Sequence, residues 1–400
     1  MKNKGQTACQ KREEVRTMAE KQEKSVILEG DRAYERLDAC LKQYGIERPM
    51  LVCGASIRGL AVYPYFISMK ERIGIQPVWF SDFASNPSYD SAAQGTDVFR
   101  REGCDAIIAA GGGSAMDVAK CIKMFSNMDP EINYLEQEII PGPIPFIAIP
   151  TTAGTGSEAT KFAVIYEKGE KHSVTHDSCI PSVVVMDASL LATLPLYQRK
   201  ATMLDALCHG IESYWSIHST PESIGYAETA IRMILSNYKA YLRNDPSGNE
   251  GMLSAAHLAG KAINITQTTA GHAMSYKMVS LYHISHGHAV ALCMSELWPY
   301  MACHTDRCRD PRGREYLGNV FCNIADAFGC ETQEEAIEKF RILVKDDCRM
   351  ETPSAKEEDF PELIRTVNSD RLKNNPIELD KEAVSSIYHK ILSGMRQRGI

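Results

Sequence analysis

Residues 106–120, AIIAAGGGSAMDVAK, constrain this chain more than any other stretch. An apolar run fit for a buried strand breaks at Gly111, Gly112 and Gly113 and resumes as an amphipathic helix carrying Asp117 and Lys120. A strand that feeds a helix through a turn of small residues is the unit from which parallel sheets are wound. Glycine lets the backbone approach a ligand closely, and the helix start offers free N–H groups and the positive end of its dipole. The loop therefore reads either as a cradle for a phosphate, with Ser114 beside it, or as a tight turn that needs small residues. Its spacing is neither G-x-G-x-x-G nor a P-loop.

The same alternation recurs along the first half. Apolar runs MLVCG (50–54), QPVWFS (76–81), CDAIIAAGGG (104–113), PFIAIPTT (145–152) and SVVVMD (182–187) are separated by helical patterns, the first at Ala33–Tyr44. This predicts a doubly wound α/β domain over 25–190. A second small-residue loop, PTTAGTGSEAT (150–160), also follows a strand, with Thr151, Thr152 and Thr155 supplying hydroxyls. Two such loops at successive strand ends suit the crevice where these sheets bind nucleotides. Beyond ATLP (192–195) long helical patterns succeed one another, predicting an all-α domain over 191–400. Residues 1–24 read as a polar extension with no apolar core of a signal peptide.

Four hundred residues exceed one comfortable core, in keeping with two domains. A net charge of −7 argues against a nucleic-acid or anionic-membrane surface. Thirteen cysteines without C-x-x-C pairing suggest reduced thiols, and no run approaches a membrane span, so a cytoplasmic protein is expected.

In LDALCHGIE, Asp205 and His209 stand four apart on one helix face, where they can grip a cation or hydrogen-bond as a helix-bridging pair. His272, His283, His286 and His288 then fall within seventeen residues. His272 and His286 can converge on Asp205 and His209. One carboxylate with three neutral imidazoles suits Fe²⁺ or Zn²⁺ and leaves net positive charge to polarise an oxygen. His283 and His288 fit second positions around such a site, the surface or the substrate side.

GGGSAMDVAK, PTTAGTGSE, LDALCHGIESY and GHAMSYKMVSLYHISHGHA occur in the order found in the iron-containing alcohol dehydrogenase family, which the chain resembles over roughly 25–395. The resemblance implies the dehydroquinate synthase-like fold, with a doubly wound nucleotide-binding domain and an all-α domain. It implies NADPH or NADH as cofactor, one Fe²⁺ (Zn²⁺ substituting), a small aldehyde or alcohol as substrate, and a homodimer. Carried over, the metal ligands are Asp205, His209, His272 and His286. The cofactor residues are Gly54, Ser56, Gly111, Gly112, Gly113, Ser114, Asp117, Thr151, Thr152, Thr155, Val164 and Lys171, with Phe162 and Lys277 on the substrate side. Where many members carry a histidine for proton relay, this chain has Tyr276, whose phenol has an ordinary pKa near ~10. No acidic residue follows the first strand at Gly54–Ser56, and Arg58 is nearby, which suits a 2′-phosphate. Within the family the texture is most like the phosphonoacetaldehyde reductase branch, with generic short-chain, 1,3-propanediol or butanol dehydrogenases as the alternative. Rival readings are a glycerol dehydrogenase or synthase-like lyase of the same shape, and a nucleotide- and metal-binding regulator without turnover.

Overall fold

The computed structural model describes residues 25–392; the extension expected at 1–24 lies outside them. Contacts divide the described chain into two units, residues 25–152 with Ser157–Thr193, and Ala153–Gly156 with residues 194–392. The single boundary near 190 suggested by the change of texture is thus met by three crossings.

In the first unit β1 (Val26–Glu29), β2 (Pro49–Cys53), β3 (Val78–Phe80), β4 (Ala106–Gly111), β5 (Phe146–Pro150) and β8 (Val183–Met186) form one sheet, ordered β1-β8-β5-β4-β2-β3, with every pair parallel. Helices α1 (Ala33–Gln43), α2 (Tyr63–Ile67), α3 (Met69–Ile73), α4 (Tyr89–Arg101) and α5 (Gly113–Phe125) lie between these strands in sequence. The central strands are apolar without interruption because both faces are covered. Leu51, Ile108, Ala110, Ile147 and Ile149 join one core, whereas Met50, Val52, Ile107, Ala109 and Ala148 join the other. The winding steps outward from β2 to β3, then resumes on the far side of β2 with β4. That reversal sits between β2 and β4, and a doubly wound sheet binds ligands outside the strand ends at such a point. Cys53 pairs with Ala110, so the loops at Gly54 and Gly111 leave the sheet at one level.

Five of these six strands coincide with the apolar runs of the sequence; β1 lies outside those runs, and only Leu28 of its four residues is buried. An antiparallel hairpin, β6 (Phe162–Glu167) and β7 (Glu170–Thr175), also lies outside them. Lys168 and Gly169 turn it with φ of 51° and 83°, the left-handed pair that a two-residue type I′ turn requires. Ala163, Ile165 and Val174 bury one hairpin face against Cys121, Met124 and Phe125 of α5.

Lys120, fully buried on α5, is the polar joint of this assembly. Its ammonium donates to the Ser157 carbonyl (2.7 Å), Ser157 Oγ (3.0 Å), Thr160 Oγ1 (3.0 Å) and the Phe162 carbonyl (2.8 Å). An ammonium so enclosed is tolerable only because acceptors replace its water.

The second unit is helical: α6 (Leu196–Trp215), α7 (Pro221–Leu242), α8 (Pro246–Thr266), α9 (Ala270–Tyr282), α10 (His286–Cys303), α11 (Arg314–Ala327), α12 (Gln333–Ile342), α13 (Phe360–Arg365), α14 (Ser369–Lys373) and α15 (Lys381–Leu392). Every residue of α6 from Met203 to Trp215 is buried, and α7, α8 and α10 pack against it. A helix enclosed on all sides is a core element, and any polar group on it must find partners. Gly156 (φ 58°) meets Gly260 of α8 so closely that a Cβ on Gly260 would stand 2.4 Å from the Gly156 carbonyl oxygen. No helix among the described residues is long and apolar enough to cross a membrane.

Lys120→Met should remove the buried donor shared by Ser157, Thr160 and Phe162 and cost about 2 kcal/mol or more. A thermal scan should show the midpoint falling by roughly 4–8 °C; an unchanged midpoint would contradict this role.

Candidate active site: a glycine loop and a carboxylate–histidine cluster

Gly111 ends β4, Gly112 is the N-cap of α5, and Gly113 and Ser114 open the helix. Among the described residues no side chain caps this helix, leaving its first N–H groups to a ligand or water. Gly111 is sterically required here, and Gly112 is tightly placed. A Cβ on Gly111 would lie 2.6 Å from the Ala115 Cβ, and one on Gly112 would press on Thr152 at 3.1 Å. Thr151 donates its N–H to the Gly111 carbonyl at 3.0 Å, drawing the two small-residue loops together at the ends of adjacent strands. Gly54 and the exposed Ser56 follow β2, with Arg58 exposed in the same short 3-10 turn, Ala55–Gly59. Thr155 belongs to the four residues that group with the helical unit.

The hairpin sorts the remaining cofactor and substrate candidates. Phe162 pairs with Thr175, Val164 with Ser173 and Tyr166 with Lys171, so Phe162, Val164 and Lys171 share the face turned away from the α5 core. Asp117 reaches the hairpin from α5. Burial pushes its carboxyl up to about 7, against the opposing pull of Lys120, the Val164 N–H and Lys171.

In the helical unit, α6 contributes Asp205 and His209, α9 contributes His272 in its first turn, and His286 is the first residue of α10. Nε2 of His272, His286 and His209 lies 3.5, 3.8 and 4.0 Å from Asp205 Oδ1. Tetrahedral ligands about 2.1 Å from a metal are roughly 3.4 Å apart, so these separations are near those of a coordination shell. Ligand atoms of Asp205, His272 and His286 all fall within 4.8 Å of one another. His209 stands outside that trio, its ring stacked on His272 at 4.5 Å.

Asp205 Oδ1, His209 Nδ1 and His272 Nε2 are buried without a hydrogen-bond partner among the described residues. Polar atoms are seldom left so, and a divalent cation would satisfy the oxygen and the His272 nitrogen together. Burial raises the Asp205 carboxyl, but His209, His286 and His272 outweigh it and hold it below the usual carboxylate range. Burial dominates at His209 and pulls it down to about 4, which keeps the ring neutral as a ligand must be.

Two features allow the convergence. A Cβ on Gly287 would lie 2.0 Å from the Ala201 carbonyl oxygen and 2.7 Å from Asp205 Cβ, so only glycine lets α10 start against α6. The second feature is Glu212, on which the sequence reading placed no role. It is fully buried on α6, and its Oε1 accepts from Thr269 Oγ1 (2.7 Å) and from the N–H groups of Gly271 (2.8 Å), Thr269 (3.2 Å) and His272 (3.3 Å). Its Oε2 faces Nδ1 of His272. Helix α9 has no side-chain cap of its own, and Glu212 fills that office from the neighbouring helix. The signal for it was present: Glu212 is seven residues beyond Asp205 and three beyond His209, on the same stripe of α6.

The other residues separate. Tyr276 stacks on the His286 ring, centroids 5.8 Å apart and planes 9° from parallel. The Lys277 ammonium is paired with Glu362 of α13 at 2.6 Å. Lys161 is paired with Asp177 at 2.9 Å. His172 pairs with Ile165 and so lies on the opposite hairpin face from Phe162. His283 is exposed at the C-terminal end of α9 with φ 54°. His288 is buried and structural: its Nε2 meets the Glu351 carbonyl at 2.9 Å and its Nδ1 meets the Tyr197 hydroxyl at 3.0 Å. That hydroxyl accepts the Ser285 N–H at 3.0 Å, fixing the residue before His286.

Residues 25–188 match the family described as iron-containing alcohol dehydrogenase, and residues 200–392 match the C-terminal part of the Fe-containing alcohol dehydrogenase family. Phosphonoacetaldehyde reductase of Streptomyces viridochromogenes is 31% identical over 313 residues, covering 74% of this chain and 79% of that protein. Choline dehydrogenase of Bacillus subtilis is 28% identical over 391 residues, 92% of this chain and 93% of that one. Sulfoacetaldehyde reductase from Bifidobacterium kashiwanohense, solved with NAD+, superposes with a TM-score of 0.78 at 24% identity, over 92% of this chain and 97% of that one.

Gly287→Ala should drive the start of α10 away from α6 and carry His286 from Asp205. Chelator competition should find Zn²⁺ held at least tenfold more weakly, while circular dichroism shows the helices retained. Wild-type affinity in this variant would contradict the close-approach argument.

Proposed function

Because this chain belongs to the iron-containing alcohol dehydrogenase family, we propose that it reduces a small aldehyde with an anionic tail, of phosphonate or sulfonate type, to the primary alcohol, and works as a homodimer. Membership makes it an NAD(P)-linked oxidoreductase acting on the CH–OH group; the tail is the proposal. The observation that carries it is the cluster of Asp205, His272 and His286, in which Asp205 Oδ1 and His272 Nε2 are buried without a hydrogen bond among the described residues, taken with the 31% identity to a phosphonoacetaldehyde reductase.

Asp205, His209, His272 and His286 would hold the metal, and Gly112, Gly113 and Ser114 would hold the pyrophosphate at the start of α5. When bound, the nicotinamide supplies hydride and the divalent metal supplies Lewis acidity toward the carbonyl oxygen. Tyr276, beside His286, gives its hydroxyl proton to the product oxygen, with a ribose hydroxyl or water as the alternative donors. Lys277, the next residue, meets the tail. Its pair with Glu362 is open to water and therefore weak, whereas a phosphonate offers a doubly charged, charge-assisted contact.

That same pair favours a second reading. A lysine already neutralised by Glu362 suits an uncharged short-chain alcohol or aldehyde. Turnover of phosphonoacetaldehyde, sulfoacetaldehyde and propanal by Fe²⁺- or Zn²⁺-reconstituted enzyme separates the two. A wild-type preference for propanal would leave only the general alcohol dehydrogenase.

Lys277→Ala should raise KM for the phosphonate aldehyde about tenfold or more and leave propanal turnover nearly unchanged; equal losses on both would remove Lys277 from substrate binding. NADPH should be used at least as well as NADH, since Arg58 is exposed beyond β2 and Gly54–Ser56 offers no carboxylate. A kcat/KM for NADH ten times that for NADPH would refute this.

A further inference from the structure

Glu212 touches neither substrate nor cofactor in the reaction described above, yet its two oxygens are treated differently by the fold. Oε1 is surrounded by four donors: the Thr269 hydroxyl and the N–H groups of Thr269, Gly271 and His272, all within 3.3 Å. The Thr269 hydroxyl is itself oriented, because Trp215 Nε1–H donates to its oxygen at 3.0 Å and its own proton must then point to Glu212. Among the described residues Oε2 is left for a single hydrogen-bond partner, Nδ1 of His272. A carboxylate only accepts, so Nδ1 must carry the proton of that contact. The other ring nitrogen, Nε2, faces Asp205 Oδ1 at 3.5 Å and has no hydrogen-bond partner among the described residues.

We propose that Glu212 is a positioning residue that fixes a proton on Nδ1 of His272 and so directs the Nε2 lone pair at the metal, a role that rests on the metal-binding reading above. Carboxylates placed behind ligating histidines set ring orientation and tautomer in this way. The donor crowd at Oε1 also fixes how an amide in place of the carboxylate must sit. In Glu212→Gln the amide oxygen must occupy that position, since an NH2 group there would face four donors. The amide nitrogen then points at Nδ1 and donates to it. His272 is driven to the opposite tautomer, with a proton on Nε2 where the cation should bind. A near-isosteric change thus reverses a ligand without opening a cavity.

The test compares wild type, Glu212→Gln and Thr269→Val. The valine variant removes a neighbouring hydrogen bond of the same network but leaves the acceptor for Nδ1. Chelator competition with Zn²⁺ should find Glu212→Gln weaker by about tenfold to a hundredfold and Thr269→Val within about threefold of wild type. Melting of the metal-free proteins should place Glu212→Gln within a few degrees of wild type. Equal Zn²⁺ affinity in wild type and Glu212→Gln, or equal losses in both variants, overturns the proposal.

Ring ¹⁵N resonances of metal-free, histidine-labelled protein give a second reading that needs no metal and tells the two failures apart. Nδ1 of His272 should be protonated in wild type and bare in Glu212→Gln. If wild type binds no Zn²⁺, the metal-binding reading falls, and the ring spectra alone decide for or against Glu212. If Glu212→Gln does not fold, a bare Nδ1 in wild type still overturns the assignment and a protonated one upholds it.

Discussion

Asp205, His209 and Glu212 lie along one stripe of the fully buried stretch of α6, Met203–Trp215, and the helical unit is arranged around how that charge is answered. Burying a carboxylate is costly unless hydrogen bonds or countercharge replace its hydration. At Glu212 the answer is complete: four donors at one oxygen and a histidine at the other. At Asp205 it is incomplete: three histidines approach, but Oδ1 has no hydrogen-bond partner among the described residues. The complete site organises the fold, and the incomplete one calls for a cation. The two sit seven residues, about two turns, apart, so a single rigid element relates them.

Glycine sets how near the partners of that helix can come. Gly287 allows the start of α10 to rest on the backbone of α6, and Gly271 leaves room for Glu212 Oε1 and Met294 at the start of α9. Both histidine-bearing helices therefore begin at the stripe, where a ring in the first turn reaches it without a long side chain. At the loop between β4 and α5 the same economy of atoms serves a different end. Gly111 and Gly112 keep side chains away from the helix start, so that its backbone N–H groups are not covered by a Cβ.

Much of this was legible in residue order. Strands buried on both faces are written as unbroken apolar runs, so β2, β4, β5 and β8 could be read; β1 is short and mostly uncovered, and left little trace. The hairpin escaped because FAVIYEKGEKHSVT alternates polar and apolar residues only loosely, and its turn rests on Lys168, which seldom adopts positive φ. Asp205, His209, His272 and His286 stood out because histidines rarely gather. Glu212 did not, since one glutamate on a helix is ordinary and its meaning lies in donors 57 to 60 residues away. Likewise the sequence places Lys277 one residue from Tyr276 but says nothing of Glu362, whose carboxylate engages it.

The four residues Ala153–Gly156 carry a consequence for recombination between relatives. They are flanked on both sides by the nucleotide-binding unit yet belong with the helical one, where Gly156 and Gly260 pack backbone against backbone. A chimera that takes residues 25–190 from one parent and the remainder from another would join mismatched surfaces at this patch, although each half looks whole on paper. Keeping Ala153–Gly156 with the parent that donates the helices, as a short graft inside the exchanged segment, preserves the glycine pair. The modular unit of exchange in this protein is discontinuous.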